Sequence, residues 1–495
     1  LDVRLLADAL TAVVARHEVL RTVYRARDGV PEQVVRPADA VTIPVMDLTN
    51  DPDSADRLAA AEAARPFDLA TGPVLRATLL RLAPDRHRFL LTVHHIACDG
   101  PSLQRLAAEV SAHCAGVEPP ELALQYGDFA RWQANARVPE GSVDYWRKRL
   151  DGVADLPAMP TDKSRPPVAS YRGAALSFSL PAAAIEAVEA LARRTASTRF
   201  TVLLAAFGAL VGRYTGGSEV VVGAPVAQRD RVEWEPLIGF FANTVVLRLA
   251  AAGGTFADLV RKTGETVRLG LAHADVPFEV LVERLHPGRD LARNPLFGVL
   301  FSDRADDSTG WTLPGCQVRA AAGDSGTAKV DLSLSVSGRT GRLEYSSDLF
   351  EPETVRRLAD QYVTLLTAAM ANPDLPMDEL PVLPATEEAA LLALGAGTAV
   401  EVGEPLHRQI ARQAARTPDR TAVTSGGRTL TYGQLDEAAS GLAGRLTALG
   451  AGPGTVVGIL LDRSVDLPVA LLGVLKAGAA YLPLDPRLSG RAGWP

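Results

Sequence analysis

Cysteine is scarce in this sequence. The 495 residues hold three, Cys98, Cys114 and Cys316, with no CxxC pair and no spacing that would ligate a metal. Such sparse use fits a reducing compartment, so a cytoplasmic location without a metal site is expected. Long apolar runs are also missing. None reaches the roughly 18–20 residues of a spanning helix, and no membrane role is expected. Nor is there an excess of basic charge. The net charge of −7 argues against nucleic acid, which asks for a basic face. A signal-peptide pattern is absent as well, because the opening LDVRLLADAL already reads as an amphipathic helix. The chain begins at Leu1 rather than Met, so upstream sequence is expected to be missing. No internal repeat is visible.

What remains is an ordinary globular composition, 47% apolar and 22% charged. At about 100–200 residues per domain the length allows several domains. Residues 1–21 carry Leu6, Ala9, Leu10, Val13 and His17 on one helical face. Residues 88–96, RFLLTVHHI, form an apolar, β-branched run of strand length. The turn ACDGP follows, and then Leu103, Leu106, Ala107, Val110 and Cys114 mark a second amphipathic helix. The proline-rich stretch 152–170 reads as a connection between two lobes. A strand-like segment at 173–180 opens a second lobe, in which helical and strand patterns alternate to about residue 380. The boundaries drawn are 1–160, 170–384, a linker at 385–405, and a further α/β segment at 406–495. The fold class is therefore α/β (α+β layered).

The densest polar cluster is His94-His95-Ile-Ala-Cys-Asp99-Gly100. Alternation along a strand would turn His94 and His95 to opposite faces, so only one faces a given cleft and the two cannot chelate one ion. Gly100 supplies backbone freedom for the turn. A histidine titrates near neutrality, with a pKa of about 6.5, and can move a proton. A bare His-His pair is compatible with simple packing or solvation. The Asp-Gly that follows at this spacing favours catalysis.

These residues resemble the HHxxxDG signature of the superfamily that holds nonribosomal peptide synthetase condensation domains, chloramphenicol acetyltransferase and carnitine acyltransferases. RHEVLRT (16–22), YGDFARW (126–132), IGFFANTVVLR (238–248), HADVPFE (273–279) and RDLARNPLF (289–297) are similar to further condensation-domain segments, in the family's order. The resemblance implies two chloramphenicol acetyltransferase-like lobes in a V with a tunnel between them. It implies that His95 faces the tunnel and deprotonates an acceptor amine as it attacks a donor thioester. His94 is then the structural partner. Gly100 offers its N–H to the oxyanion. Asp99 pairs with an arginine, Arg248 or Arg16, because a lone buried carboxylate is costly. Asn243 and Thr244 either line the tunnel and bridge the lobes or satisfy turn backbone groups. Asp128 and Trp132 read as a helix cap and packing, His273 to Glu279 as a fixed loop, and Arg289, Asp290 and Arg293 as a structural ion-pair cluster. The implied partners are donor and acceptor peptidyl carrier proteins, with their phosphopantetheine arms, and neighbouring synthetase domains. No directly bound cofactor is implied.

The retained histidines, and Pro-Ser-Leu-Gln after Gly100, point away from heterocyclisation and epimerisation relatives and toward an L-configured donor. The chain departs from the family pattern in three places. No opening Ser–Ala-Gln–Arg strand is present, so an exposed sheet edge is expected. Ala274 stands where glutamine is common, and Ala292 where serine is common. LTYGQLDE (430–437) and LKAGAAYLPLDP (475–486) resemble early, mainly structural segments of acyl-adenylate-forming enzymes, giving a partial α/β domain without its phosphate-binding loop. Adenylation by this chain is therefore not expected. Two other functions stay open: an acyl-CoA-dependent acyltransferase of the same superfamily, and a catalytically idle carrier-docking module.

Overall fold

The computed structural model describes residues 1–285, 290–304, 310–319, 323–397 and 401–485. The chain divides into one compact unit from Leu1 to Leu391 and a second from Leu392 onward.

The first unit holds two separate apolar cores. Helix α1 (Val3–Arg16) is capped by Asp2, whose carboxylate accepts the N–H groups of Arg4 and Leu5, as an N-cap aspartate should. It buries Leu6, Ala9, Leu10 and Val13, the face read from the sequence, and His17 just beyond it is also buried. A hairpin β1 (Thr22–Arg27) and β2 (Val30–Val35) follows. A mixed sheet then orders β3 (Val45–Asp47), β4 (Leu75–Arg81) and β5 (His87–Val93), with α2 (Ser54–Ala64) before β4. Among the described residues β5 is an edge of that sheet. It stops at Val93, short of the 88–96 strand expected. His94 caps a 3-10 turn over His95–Ala97, and α3 (Gly100–Cys114) starts at once. On α3, Leu106, Ala107, Val110 and Cys114 are buried as expected, whereas Leu103 is exposed. Helices α4 (Tyr126–Asn135) and α5 (Glu140–Arg149) lead out of this lobe.

The second core begins earlier than the boundary drawn at residue 160. Val143, Trp146 and Leu150 belong to it, and the Trp146 indole N–H donates to the carbonyl of His273 with its ring against Gly270. The strands of its six-stranded sheet are β6 (Gly173–Ser179), β7 (Glu219–Ala227), β8 (Ala242–Ala250), β9 (Val299–Arg304), β10 (Leu332–Ser337) and β11 (Thr340–Ser346). They lie in the order β6-β11-β10-β9-β7-β8. Helices α6 (Ala182–Arg194), α7 (Arg199–Thr215), α8 (Phe256–Ala272), α9 (Phe278–Leu285) and α10 (Pro352–Ala371) accompany it. Residues Thr201 to Gly212 of α7 are all buried, as a helix apolar on every side requires. No single helix among the described residues is long and apolar enough to cross a membrane.

Helix α11 (Ala385–Gly395) occupies half of the stretch read as a linker. Its Ala, Leu and Glu residues favour helix, although none is buried. In the second unit, α12 (Leu406–Arg416) precedes the hairpin β12 (Thr421–Ser425) and β13 (Arg428–Thr431), then α13 (Tyr432–Ala448). The LTYGQLDE segment has a structural part to play. Thr431 and Gln434 form a reciprocal capping box on α13. Strands β14 (Val456–Leu460) and β15 (Ala480–Leu484) pair in parallel around α14 (Asp466–Lys476).

Candidate active site

The tight 3-10 turn after β5 gives the two histidines different jobs. The Nδ1 of His94 accepts the N–H of Ile96 at 3.0 Å, and its ring lies edge-on to Phe67. That ring caps the turn. The Nδ1 of His95 lies 2.7 Å from the carbonyl oxygen of Cys98. A carbonyl only accepts, so Nδ1 carries the proton and donates it. The neutral ring then presents Nε2 as an unprotonated base, because the hydrogen bond at one ring nitrogen fixes the tautomer at the other.

His95 is an exposed residue, yet burial is the leading cause that lowers its pKa. A ring touched by solvent and crowded by protein sits in a recess. Lys329 has the same pair of properties. Its charge is the second cause that lowers His95, and it also lowers His94. Strand alternation sets the face that Lys329 occupies. Ala328, Val330, Leu332, Leu334 and Val336 are buried in the second lobe, which turns Lys329, Ser333 and Ser335 to the opposite face of β10 and the residues leading into it. The ammonium of Lys329, from the second-lobe sequence, thus bears on the two imidazoles through its charge. A small apolar cavity lined by Phe207, Leu334 and Tyr362 lies inside the second core and includes none of these groups.

Asp99 is 2% exposed and fully engaged. One carboxylate oxygen accepts the N–H of Ser102 at 2.9 Å, capping α3. The other accepts the N–H of Phe241 at 2.9 Å. Its cationic partner is Arg229, at 3.3 Å. An arginine partner was expected, but neither Arg248 nor Arg16 supplies it. Arg248 lies on β8, where register sets it opposite Val221 and its side chain reaches diagonally to Glu219, 2.7 Å away. Arg16 pairs with Glu109 at 3.2 Å and donates to the carbonyl of Pro120. Arg229 also donates to Ser102 Oγ at 2.7 Å and to the carbonyls of Trp234 and Leu237, with its guanidinium over the Phe241 ring. Burial lowers its pKa and Asp99 opposes that shift.

Arg229 opens a segment of the second-lobe sequence, residues 229–241, that crosses onto the first lobe. Ile238 is part of the first core. Its N–H points at His17 Nδ1, and His17 Nε2 lies 2.8 Å from buried Glu109. The carbonyl of Gly239 accepts from the Asp99 N–H at 3.0 Å and from Ser102 Oγ at 2.8 Å. Tyr126 donates to the carbonyl of Phe240 at 2.9 Å. A Cβ on Gly239 would meet Tyr126 Cδ2 at 2.1 Å, so only glycine fits there. The Phe240 ring stands perpendicular to the His95 ring, 5.0 Å between centroids.

Gly100 is the first residue of α3 and has no left-handed backbone, so the turn does not need a glycine for its dihedrals. A Cβ there would meet nothing within 4 Å. The open space lies beside an N–H of the first helical turn, which has no intrahelical acceptor, and the next residue, Pro101, has no N–H at all. This N–H is available to a developing negative charge.

Asn243 is committed to backbone groups. It donates to the carbonyls of Ala274 and Val276 and accepts from the N–H groups of Phe278 and Thr244, fixing the HADVPFE loop. Of its two readings the backbone-satisfying one holds. Asp128 completes a capping box on α4, His273 stacks on Tyr145, and Arg293 sits 3.8 Å from Asp290. Arg289 lies outside the described residues. Arg229, Lys329 and Phe240 do not stand out in the sequence. The alternation around Lys329 is a legible signal for its face, but not for what it faces.

Known proteins resemble this chain along nearly its whole length. The condensation-domain family model matches residues 1–392, and the AMP-binding enzyme model matches residues 410–492. A linear gramicidin synthase of Brevibacillus parabrevis is 40% identical over 98% of this chain and 7% of that protein. Phosphinothricin tripeptide synthetase PhsC of Streptomyces viridochromogenes is 42% identical over 97% of this chain and 46% of that protein. The chain thus spans less than half the length of these relatives. Among solved structures, the X-domain from teicoplanin biosynthesis matches 77% of this chain and 90% of its own at 27% identity and a TM-score of 0.68. The nonribosomal peptide synthetase FmoA3 matches 98% of this chain and 52% of its own at 25% identity and a TM-score of 0.75. The chain belongs to the condensation-domain family, with the beginning of an AMP-binding enzyme domain behind it.

Proposed function

We propose that the first unit joins two carrier-bound groups through an amide bond, with His95 as the base. The acceptor's α-amine nitrogen attacks the thioester carbonyl of the donor, and a C–N bond forms. Nε2 of His95 takes a proton from that nitrogen, while the oxyanion receives the Gly100 N–H. Collapse breaks the C–S bond, and the departing thiolate takes the proton from the imidazolium. The acceptor carrier then bears the lengthened chain and the donor carrier a free thiol. The phosphopantetheine arms belong to these carriers and enter as parts of the substrates.

One observation carries this reading. The His95 ring donates its Nδ1–H to the carbonyl oxygen of Cys98 and leaves Nε2 free in an accessible recess. An imidazole set this way is worth about 10²–10⁴-fold as a general base. Asp99 has no role in proton transfer, because both its oxygens are committed to the backbone and Arg229. Its work is to hold the turn. The resemblance to amide-forming synthetases supports carriers rather than free acyl-CoA as the substrates.

The test supplies loaded donor and acceptor carriers to the full chain and looks by mass spectrometry for a dipeptidyl acceptor carrier. The product should require both loaded carriers and should vanish with His95→Ala. Product formed equally well from acyl-CoA would favour the acyltransferase alternative. Carrier binding with no product at all would favour an idle docking module.

A further inference from the structure

Phe240 is unlike its neighbours. Ile238 and Phe241 are each 1% exposed, and their side chains are absorbed into apolar clusters. Phe240, between them, is 37% exposed. A single exposed aromatic needs no explanation by itself. This one differs in two respects. Its backbone is fixed on every side, by the Asp99 and Ser102 contacts to the carbonyl of Gly239, by Tyr126 on its own carbonyl, and by the Phe241 N–H on Asp99. Gly239 leaves no room for the segment to shift toward Tyr126. And the free ring is held against the imidazole of His95 at 5.0 Å and 90°.

We propose that Phe240 sets the size of the acceptor residue this site takes, its ring forming a wall beside the acceptor's α-carbon. The inference rests on the ligation reading above. The amine must approach within about 2.6–3.2 Å of Nε2 for its proton to move. The acceptor's α-carbon is one bond from that nitrogen, so its substituent falls within contact range of a ring 5.0 Å from the imidazole. The donor's α-carbon is separated from the same nitrogen by the thioester carbonyl carbon and lies further off. The ring therefore bears on the acceptor before it bears on the donor. Because the backbone cannot give way, the selection acts through the volume of the ring. Apolar walls of this kind discriminate by roughly 10–200-fold for one methylene.

The experiment uses the full chain and its Phe240→Ala, Phe240→Leu and Phe240→Trp variants. Acceptor carriers loaded with alanine, leucine or phenylalanine compete for one donor, and a donor series is run against one acceptor. Phe240→Ala should raise the rate for bulky acceptors relative to alanine by about tenfold. Phe240→Leu should give a smaller rise and Phe240→Trp the reverse, with the donor ranking unchanged. Phe240→Leu and Phe240→Trp should keep melting curves near that of wild type, since the Phe240 ring is 37% exposed and belongs to neither neighbouring apolar cluster. The same acceptors, made as aminoacyl-pantetheine amides, are titrated calorimetrically, which needs no chemistry. An unchanged acceptor ranking in both assays, or a change in the donor ranking instead, overturns the Phe240 assignment. If no protein forms amide, the ligation reading fails, and the order of Kd values among the amides still decides whether Phe240 reads acceptor size.

Discussion

His95 is held by a short bond at Nδ1 and by a perpendicular ring, and its titration is set by the recess around it. Burial and the Lys329 ammonium both lower its pKa below the ordinary imidazole value, while the Cys98 carbonyl and the Asp99 charge oppose them. The reactive form is the neutral one. The rate of amide formation should therefore rise with pH through the His95 pKa, and that limb should lie below the usual histidine range. Lys329→Met removes one of the lowering causes, so the His95 pKa should rise and the acid limb should move to higher pH. Single-turnover rates measured across pH for wild type and Lys329→Met check this. A limb that stays in place, or moves to lower pH, contradicts the influence of the Lys329 charge on His95.

At the scale of elements, the connection that matters is the crossing segment 229–241 seated on the start of α3. Asp99 and Arg229 form its buried ion pair, at 2% and 11% side-chain exposure. Removing either partner strands the other, which typically costs about 3–5 kcal/mol. Asp99→Ala and Arg229→Ala should each destabilise the first unit by that order. The double variant should cost clearly less than the sum, since both changes break the same contact. Denaturant unfolding of the four proteins measures the coupling, and simple additivity would contradict it. Arg248→Ala removes a partly exposed pair with Glu219 and should cost about 1 kcal/mol or less, whereas a loss as large as that of Arg229→Ala would restore Arg248 as the partner of Asp99. Local pattern made half of this legible. The His turn and the amphipathic faces of α1 and α3 are decided by residues a few positions apart, and the sequence displays them; the cap that Asp99 makes on α3 is added by the structure. Leu103 stays exposed although Ser102 beside it is buried, because the crossing segment covers the first turn of α3 on the Ser102 side. The partner of Asp99 lies 130 positions away, and nothing about an arginine between Gln228 and Asp230 marks it. Arg248, at the end of a recognisable segment, draws attention that its strand register does not support. The early end of β5 is likewise invisible, since His94 and Ile96 continue an apolar run whose break depends on a side-chain cap.

For the whole molecule, the two cores of the first unit meet where the chemistry is proposed. The first lobe supplies the base and the Gly100 N–H. The second supplies Lys329, Phe240 and the arginine that locks the turn. The layered α/β architecture is legible from the alternation of helical and strand patterns. The boundary at residue 160 is not, because the proline-rich stretch that suggests it follows a helix already committed to the second core. The central claim is that the free Nε2 of His95 drives amide formation, and the single-turnover rate from loaded donor and acceptor carriers tests it most directly. His95→Ala should retain the wild-type unfolding curve and lose about 10²–10⁴-fold in rate; a folded variant that works within a few-fold of wild type would contradict it.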